Sequence, residues 1–330
     1  MGNGSGIMSE ERGKSAAATK GRPIAPVAPQ RPPHAHIVTR PVSGSAIPMD
    51  LAFVLTRDEI YVPVAIRKPA GGGPFPAITM GRGDGRGGYH HVETQVERLA
   101  AMQDRMIERG YVVVYVNYRN EIPHLYEQIG QAINLPDDIS GGDNRTLKSV
   151  PTLDSDDFIA IVDFLKTLPY IDGDAIGAVG VSHSGEMILK AVAQIDLAAG
   201  VVIEGASHEF LGVNTGPTAP RIGDEIQYQD IEVVRSNADK AKAMERIRRI
   251  RTPILHIGRN QDHLQGIFRL AHEWMLEAGK DSTWASFDHP DHGFPYIYRR
   301  PDGAFCPDAV QQEAFELFMD YFDRHLKPRG

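Results

Sequence analysis

The residues with the clearest chemical potential lie around Ser182. The segment 175–181 is an apolar run that predicts a buried strand, and a helical pattern begins at Ser184, so Ser182 falls on a sharp turn. Such a turn needs small neighbours because the strand and helix backbones approach closely. Gly180 meets that need, whereas Ser184 stands where the pattern G-x-S-x-G has its second glycine, and Gly185 follows it.

This turn would prepare Ser182 for nucleophilic attack. Its Oγ would be held out at the edge of the sheet, and the N-terminus of the following helix would aim free N–H groups at a developing oxyanion. The N–H of His183, the residue after the nucleophile, is predicted to be one donor. Two alternatives are a Ser/Gly turn without chemistry and a nucleophilic Ser184, which lacks the preceding glycine spacing.

A nucleophilic serine needs a general base, and the base needs a carboxylate that fixes its tautomer. Asp262 comes just after the predicted strand 252–258, and His292 comes just after the last predicted strand, 282–288. We therefore predict Asp262 as the acid and His292 as the base.

Other groups compete for these roles or suggest different sites. His289 is an alternative base, and Glu204, which also follows a strand, is an alternative acid. His90 and His91 would line the pocket or cap a helix, and no grouping with metal-ligand spacing accompanies them, so we predict no metal site. The glycine-rich segment 81–88 lacks a following Lys-Ser/Thr and the dinucleotide fingerprint. We therefore predict no phosphate site and no cofactor.

Strand and helix patterns alternate from about residue 50 onward. This alternation predicts an α/β protein with a mostly parallel central sheet and helices on both faces. The predicted strands are 51–56, 60–69, 76–80, 111–117, 175–181, 198–204, 252–258 and 282–288, and the predicted helices are 92–109, 154–168, 184–194, 263–278 and 308–325.

The chain is predicted to form one domain behind a disordered tail. Residues 1–35 are rich in Gly, Ala, Pro and Ser and show no periodicity, whereas 36–330 carry the alternating elements. Two stretches, about 118–152 and 205–250, interrupt the alternation and are predicted to be cap-like insertions, the second with a charged helix over about 231–251. Both would lie beside the carboxyl ends of the strands, where such sheets bind ligands.

Composition narrows the classes of function. A net charge of −8 gives no electrostatic reason to expect a nucleic-acid partner. The one cysteine, Cys306, excludes an intramolecular disulfide and a cysteine metal cluster. No run of about 18 apolar residues predicts a membrane span, and the first 20 residues lack the apolar stretch of a secretory signal. We therefore expect a cytoplasmic protein.

Four segments resemble the dienelactone hydrolase and prolyl oligopeptidase branch of the α/β-hydrolase superfamily: 109–119 (RGYVVVYVNYR), 156–185 (DDFIAIVDFLKTLPYIDGDAIGAVGVSHSG), 252–263 (TPILHIGRNQDH) and 291–294 (DHGF). The resemblance implies a Ser182–His292–Asp262 catalytic triad, with His183 as an oxyanion donor. It also aligns Met80-Gly81-Arg82-Gly83 with the HG-x-G loop of the family, which implies Arg82 as the second oxyanion donor.

The resemblance also implies an activity. Dienelactone hydrolases proper have cysteine at the nucleophile position, whereas this chain has serine, and large oligopeptidases carry a β-propeller for which this chain has no room. We therefore expect a serine esterase that acts on a small-molecule carboxylic ester. The alternatives are an aminopeptidase or amidase with the same triad and an inactive hydrolase fold that serves as a binding protein. The sequence leaves open whether the chain forms homo-oligomers.

Overall fold

A computed structural model describes residues 34–57, 59–83, 88–119, 151–205 and 207–327. Residues 1–33 of the predicted tail (1–35) and residues 120–150 of the first predicted insertion (about 118–152) lie outside the described residues.

A mixed sheet of nine strands forms the centre of the fold, in the order β1-β2-β3-β5-β4-β6-β7-β10-β11. The pairs β1/β2, β2/β3 and β3/β5 are antiparallel, and every later pair is parallel. The strands are β1 (His34–Arg40), β2 (Met49–Leu55), β3 (Tyr61–Arg67), β4 (Phe75–Gly81), β5 (Val112–Val116), β6 (Ile171–Val181), β7 (Ala199–Ile203), β10 (Ile254–Arg259) and β11 (Ser282–Phe287). A separate hairpin pairs β8 (Arg221–Ile222) with β9 (Glu225–Ile226).

Helices cover both faces of this sheet, as the sequence predicts. The helices are α1 (Gly88–Glu108), α2 (Pro151–Leu165), α3 (His183–Val192), α4 (His208–Leu211), α5 (Ile231–Ser236), α6 (Lys240–Ile247), α7 (Gln265–Glu277) and α8 (Ala309–Leu326). One apolar cluster joins the sheet to α2, α3 and α7, and a second joins it to α1 and α8. Successive residues of β5 alternate between the two clusters, and all five are buried. This explains why β5 is a continuous apolar run.

Several described elements differ from the prediction, among them β1 and the charged helix of the second insertion. Strand β1 was not predicted and begins two residues inside the predicted tail. The single charged helix predicted over about 231–251 is instead two short helices, α5 and α6. Asp239 causes the break because its side chain accepts a hydrogen bond from the Lys242 N–H (3.0 Å) and so caps the start of α6.

The insertion predicted over 205–250 carries α4, the β8–β9 hairpin, α5 and α6. Its apolar side chains, among them Phe210, Tyr228 and Val234, are buried in the same cluster as α7. Among the helices of the described ranges, none combines the length and the apolar character needed to cross a bilayer.

Candidate active site

Ser182 occupies an uncommon backbone conformation between β6 and α3. Its φ is 56° and its ψ is −120°, backbone angles that residues other than glycine rarely adopt. The Ser182 N–H donates to the Ile203 carbonyl (2.9 Å), and the Ser182 carbonyl accepts from the Glu186 N–H (3.2 Å). A strained residue persists only where its surroundings determine its conformation, and such residues cluster at functional sites.

Three glycines create the space for this turn. A Cβ atom on Gly180 would lie 2.6 Å from the Ser184 carbonyl carbon, and one on Gly185 would lie 2.9 Å from the Gly205 Cα. A Cβ on Gly205 would lie 2.3 Å from the Val202 Cγ1. The end of β6, the start of α3 and the residues after β7 therefore pack backbone to backbone, as predicted for Gly180.

Ser184 fills the position where a second glycine was expected. It is buried, and its Oγ donates to the Arg82 carbonyl (3.1 Å). A Cβ on Gly81 would lie 2.5 Å from that Oγ. Ser184 thus links the turn to the loop after β4. Because its hydroxyl is buried and already donates a hydrogen bond, it is poorly placed to act as a nucleophile.

The loop after β4 passes directly over the turn at Ser182. A Cβ on Gly83 would lie 3.2 Å from the His183 backbone nitrogen and 3.5 Å from the Ser182 Cβ. The main chain beside Arg82 and the N–H of His183 are thereby brought to the same place, which suits the two predicted oxyanion donors. A cavity of about 360 Å³ opens here, lined by Arg82, Gly83, His91, Gln95, Ser182, His183 and His292.

His292 lies in the loop after β11 and faces two buried carboxylates. Its Nδ1 is 2.7 Å from Glu204 Oε2 and 3.9 Å from Asp262 Oδ2. Glu204 Oε2 also accepts from the N–H of Gly293 (2.5 Å), so the same carboxylate holds both the ring and its backbone. Glu204, weighed as the alternative acid in the sequence, is therefore the nearer of the two in this structure.

Arg259 joins the two carboxylates. Its Nε lies 3.1 Å from Glu204 Oε1, and its Nη2 lies 2.8 Å from Asp262 Oδ2. Asp262 Oδ1 accepts in addition from the Leu264 N–H (2.8 Å). Glu204 itself has a positive φ of 45°. The conformation of Glu204 and the guanidinium of Arg259 together set where the carboxylates point.

These charges shift the pKa values of the cluster in opposite directions. The carboxylates of Asp262 and Glu204 raise the pKa of His292 to about 9. Burial acts to raise the pKa of Asp262, but His292, the Leu264 N–H and Arg259 outweigh it and lower that pKa to about 2. At neutral pH the cluster therefore favours an anionic Asp262 and a protonated His292.

His289, the alternative base, is directed elsewhere. Its Nε2 lies 3.0 Å from Asp308 Oδ2, and its Nδ1 accepts from the Asp291 N–H (3.0 Å). Its ring stacks on Phe294. Both ring nitrogens are thus engaged, and His289 is absent from the residues that line the cavity.

The side chain of His183 forms a second histidine–carboxylate pair that the sequence did not indicate. His183 Nε2 lies 2.8 Å from Asp154 Oδ2, and its ring contacts the edge of Tyr118. Asp154 lies on α2, 29 residues before His183 in sequence. Only the tertiary structure therefore reveals the pair. Of the two histidines on α1, His91 lines the cavity and His90 is exposed.

Part of the chain resembles a bacterial protein in sequence. No family model matches the chain. A protein of Pseudomonas aeruginosa, the uncharacterized protein PA2218, is 32% identical over 137 residues, which are 41% of this chain and 29% of that protein. The chain therefore matches less than a third of the length of that relative.

Solved structures share the fold at low identity. The esterase Est22 superposes with a TM-score of 0.57 and 14% identity, over 86% of this chain and 82% of its own. Esterase 2 of Thermogutta terrifontis gives 0.52 and 18%, over 88% and 98%. Dipeptidyl peptidase 4 of Porphyromonas gingivalis gives 0.56 and 16%, over 85% of this chain and 36% of its own. These likenesses establish a shared fold.

The packing at Gly180 predicts a selective sensitivity to an added methyl group. Gly180→Ala forces a Cβ against the backbone of Ser184, and we expect it to lower the free energy of unfolding by about 1–3 kcal/mol. Gly173→Ala, in the same strand, is the control because its Cβ would meet nothing closer than 3.5 Å. We expect a change within about 0.5 kcal/mol for the control. Equal losses in urea unfolding of the two variants would contradict the packing argument.

Proposed function

The chain has the α/β-hydrolase fold, and from the residues that this fold brings together we propose that it is a serine hydrolase of carboxylic esters. One observation carries the proposal. Ser182, on a strained turn, lines the same cavity as His292, whose Nδ1 lies 2.7 Å from a buried carboxylate. A nucleophile, a base and a group that orients the base are the parts that acyl transfer needs.

In the proposed reaction, Ser182 Oγ attacks the ester carbonyl while His292 Nε2 accepts its proton. The N–H groups of His183 and Arg82 stabilise the negative charge that develops on the carbonyl oxygen. The tetrahedral intermediate collapses, the C–O bond to the alcohol breaks, and His292 returns the proton to the leaving alcohol. Water, deprotonated by His292, then attacks the acyl-enzyme. The C–O bond to Ser182 breaks and releases the acid, and His292 returns the proton to Ser182 Oγ.

We divide the role predicted for Asp262 between two carboxylates. Glu204 supplies the direct hydrogen bond to His292 Nδ1, since its oxygen lies 2.7 Å away and the Asp262 oxygen lies 3.9 Å away. Asp262 adds a second negative charge that stabilises the imidazolium formed during catalysis. Arg259 holds both carboxylates in place.

Esterases and peptidases are both among the structural neighbours, and they differ in how much of their length aligns with this chain. It covers 98% of the Thermogutta esterase 2 and 82% of Est22. It covers 36% of the Porphyromonas dipeptidyl peptidase and 51% of the acylaminoacyl peptidase of Pyrococcus horikoshii. An amidase or aminopeptidase with the same triad is the second candidate, because peptidases share the fold.

Replacing the nucleophile tests the activity itself. We expect Ser182→Ala to reduce kcat/KM for 4-nitrophenyl acetate by at least about 10³-fold, since it removes the attacking oxygen. Ser236→Ala is the control because Ser236 lies on α5 and does not line the cavity; its exposed Oγ donates to the Val233 carbonyl and accepts from the Asn237 side-chain amide. Faster cleavage of amino-acid anilides than of esters would favour the peptidase. Failure of a fluorophosphonate to label the folded protein would favour an inactive binding protein.

The raised pKa of His292 predicts an alkaline activity profile. Only neutral His292 can accept a proton, so kcat/KM should rise with pH and level off above a pKa of about 9. Stability should change in the opposite sense. Because the folded pKa exceeds the ordinary 6.5, the His292 contribution is fully present below about 6.5 and is lost as pH rises through about 9. An activity plateau reached by pH 7 would contradict this assignment.

The two carboxylates can be separated with isosteric variants. Glu204→Gln should reduce kcat about 10²- to 10⁴-fold, because it removes the acceptor that fixes the tautomer of His292. Asp262→Asn should reduce kcat by a smaller factor. Both should lower the apparent pKa of the profile toward 6.5, because Asp262 and Glu204 both raise the pKa of His292. A larger loss of kcat in Asp262→Asn than in Glu204→Gln would return the orienting role to Asp262.

A further inference from the structure

One side of the cavity is formed by polar side chains that take no part in the proposed reaction. Arg82 lies in the loop after β4, and His91 and Gln95 lie on α1. The two α1 residues are four positions apart, so they share one face of the helix. We call these three side chains the polar wall. Only the main chain of Arg82 enters the proposed reaction, which gives the side chains no task.

Gln95 carries an acceptor that the protein itself does not satisfy. The residue is only 6% exposed, yet its Oε1 has no hydrogen-bond partner. A buried acceptor that stays unpaired costs free energy, and such atoms are uncommon in native proteins. The last torsion of a glutamine side chain is broad, so the amide can turn its oxygen toward the cavity that Gln95 lines. The missing partner is therefore a ligand group that donates a hydrogen bond.

A second buried glutamine on α1 shows how an amide with a structural role is bonded. Gln103 is 1% exposed, its Oε1 accepts from Arg67 Nη1 (3.1 Å), and its Nε2 donates to Met80 Sδ (3.4 Å). Both polar atoms of Gln103 are thus satisfied within the protein. Because the Oε1 of Gln95 lacks such a partner, packing of α1 does not account for an amide at that position.

The other members of the polar wall place hydrogen-bond donors beside this acceptor. Arg82 Nη1 donates to the Tyr298 hydroxyl (2.9 Å), which uses one of the five N–H donors of the guanidinium. Burial, together with the charges of Arg82 and Arg98, lowers the pKa of His91, so its ring is neutral at pH 7. A neutral imidazole has one donor and one acceptor nitrogen. The polar wall therefore offers both donors and acceptors.

This combination selects among the groups that a ligand could present. A carboxylate cannot donate to Gln95 Oε1, and the positive charge of Arg82 repels an ammonium group. No acidic side chain lines the cavity within the described ranges, so nothing there would pair with an ammonium group. A hydroxyl group fits, because its oxygen accepts from Arg82 while its hydrogen is donated to Gln95. It is the smallest uncharged group that does both.

We propose that the polar wall binds a free hydroxyl group on the ester substrate, an inference that rests on the proposed hydrolase function. The wall lies close to Ser182, because a Cβ on Gly83, the neighbour of Arg82, would lie 3.5 Å from the Ser182 Cβ. The cavity of about 360 Å³ is of a size that suits a small molecule. The substrate class is a small ester of a polyhydric alcohol or of a hydroxy acid.

Two matched sets of esters test this proposal. 2-Hydroxyethyl acetate carries the hydroxyl on the alcohol side, and methyl 3-hydroxybutanoate carries it on the acyl side. A methyl group replaces the hydroxyl in propyl acetate and in methyl 3-methylbutanoate. A methoxy group, which accepts but cannot donate, replaces it in 2-methoxyethyl acetate and in methyl 3-methoxybutanoate.

The measured quantity is kcat/KM divided by the rate constant for hydroxide-catalysed hydrolysis of the same ester, which removes differences in intrinsic reactivity. In at least one set we expect this quantity to be about 5- to 30-fold higher for the hydroxyl ester than for both counterparts. The set that shows the preference assigns the hydroxyl to the alcohol side or to the acyl side. A methoxy ester as good as the hydroxyl ester in both sets would overturn the donor role given to the substrate.

Variants of the two buried glutamines then assign the preference to Gln95. Gln95→Met removes the amide at nearly constant size and should bring the hydroxyl-to-methyl ratio close to one. Because the Oε1 of Gln95 has no hydrogen bond to lose, we expect the Tm of this variant not to fall. Gln103→Met, the matched control, should lower Tm and keep the ratio of the wild type. A lower Tm with an unchanged ratio in Gln95→Met would give Gln95 a structural role and overturn the proposal.

The outcomes separate this inference from the proposed function. If the wild type hydrolyses all the esters without a preference for the hydroxyl members, the hydroxyl subsite is wrong and the hydrolase proposal stands. If no ester is hydrolysed, saturation-transfer NMR with Ser182→Ala still measures binding at the wall. Tighter binding of the hydroxyl ester than of its methyl counterpart would support the subsite, and equal binding would overturn it.

Discussion

The close approach of three backbone segments at the end of β6 is the constraint on which the site depends. Gly180, Gly185 and Gly205 leave no room for a Cβ, and this contact holds Ser182 at a positive φ. The same contact brings the residues after β7 next to the nucleophile turn, and Glu204 begins that segment. The position of Ser182, the proposed nucleophile, and that of Glu204, the carboxylate nearest His292, are therefore set by the same backbone contact.

The electrostatics of the site follow from a charge imbalance behind His292. Two buried carboxylates face one guanidinium, that of Arg259, so the cluster is balanced only when His292 carries a proton. This explains why the pKa of His292 rises to about 9. In the proposed reaction, a cluster that favours the imidazolium also stabilises the charge that appears on His292 when Ser182 loses its proton. The cost is a larger fraction of protonated, inactive base at neutral pH.

Much of this arrangement could be predicted from local patterns, and the remainder could not. The buried strands, the helices after them and the turn at Ser182 follow from periodicity and glycine placement. The choice between Glu204 and Asp262 does not, because both follow strands, β7 and β10, that pair side by side in parallel. Their carboxylates reach the same edge of the sheet. Only the tertiary structure shows that His292 Nδ1 lies 2.7 Å from Glu204 and 3.9 Å from Asp262. The start of a separate helix α6 could have been predicted from Asp239, because aspartate is a common helix N-cap.

The most direct test of the central claim is to trap the acyl-enzyme. The protein would be mixed with 4-nitrophenyl acetate, quenched in acid within the first turnovers, digested and mapped by mass spectrometry. The account predicts a single acetyl group on the peptide that contains Ser182, with fragment ions that assign it to that residue. Continued ester hydrolysis with no adduct on Ser182, or with the acetyl group on another residue, would contradict it.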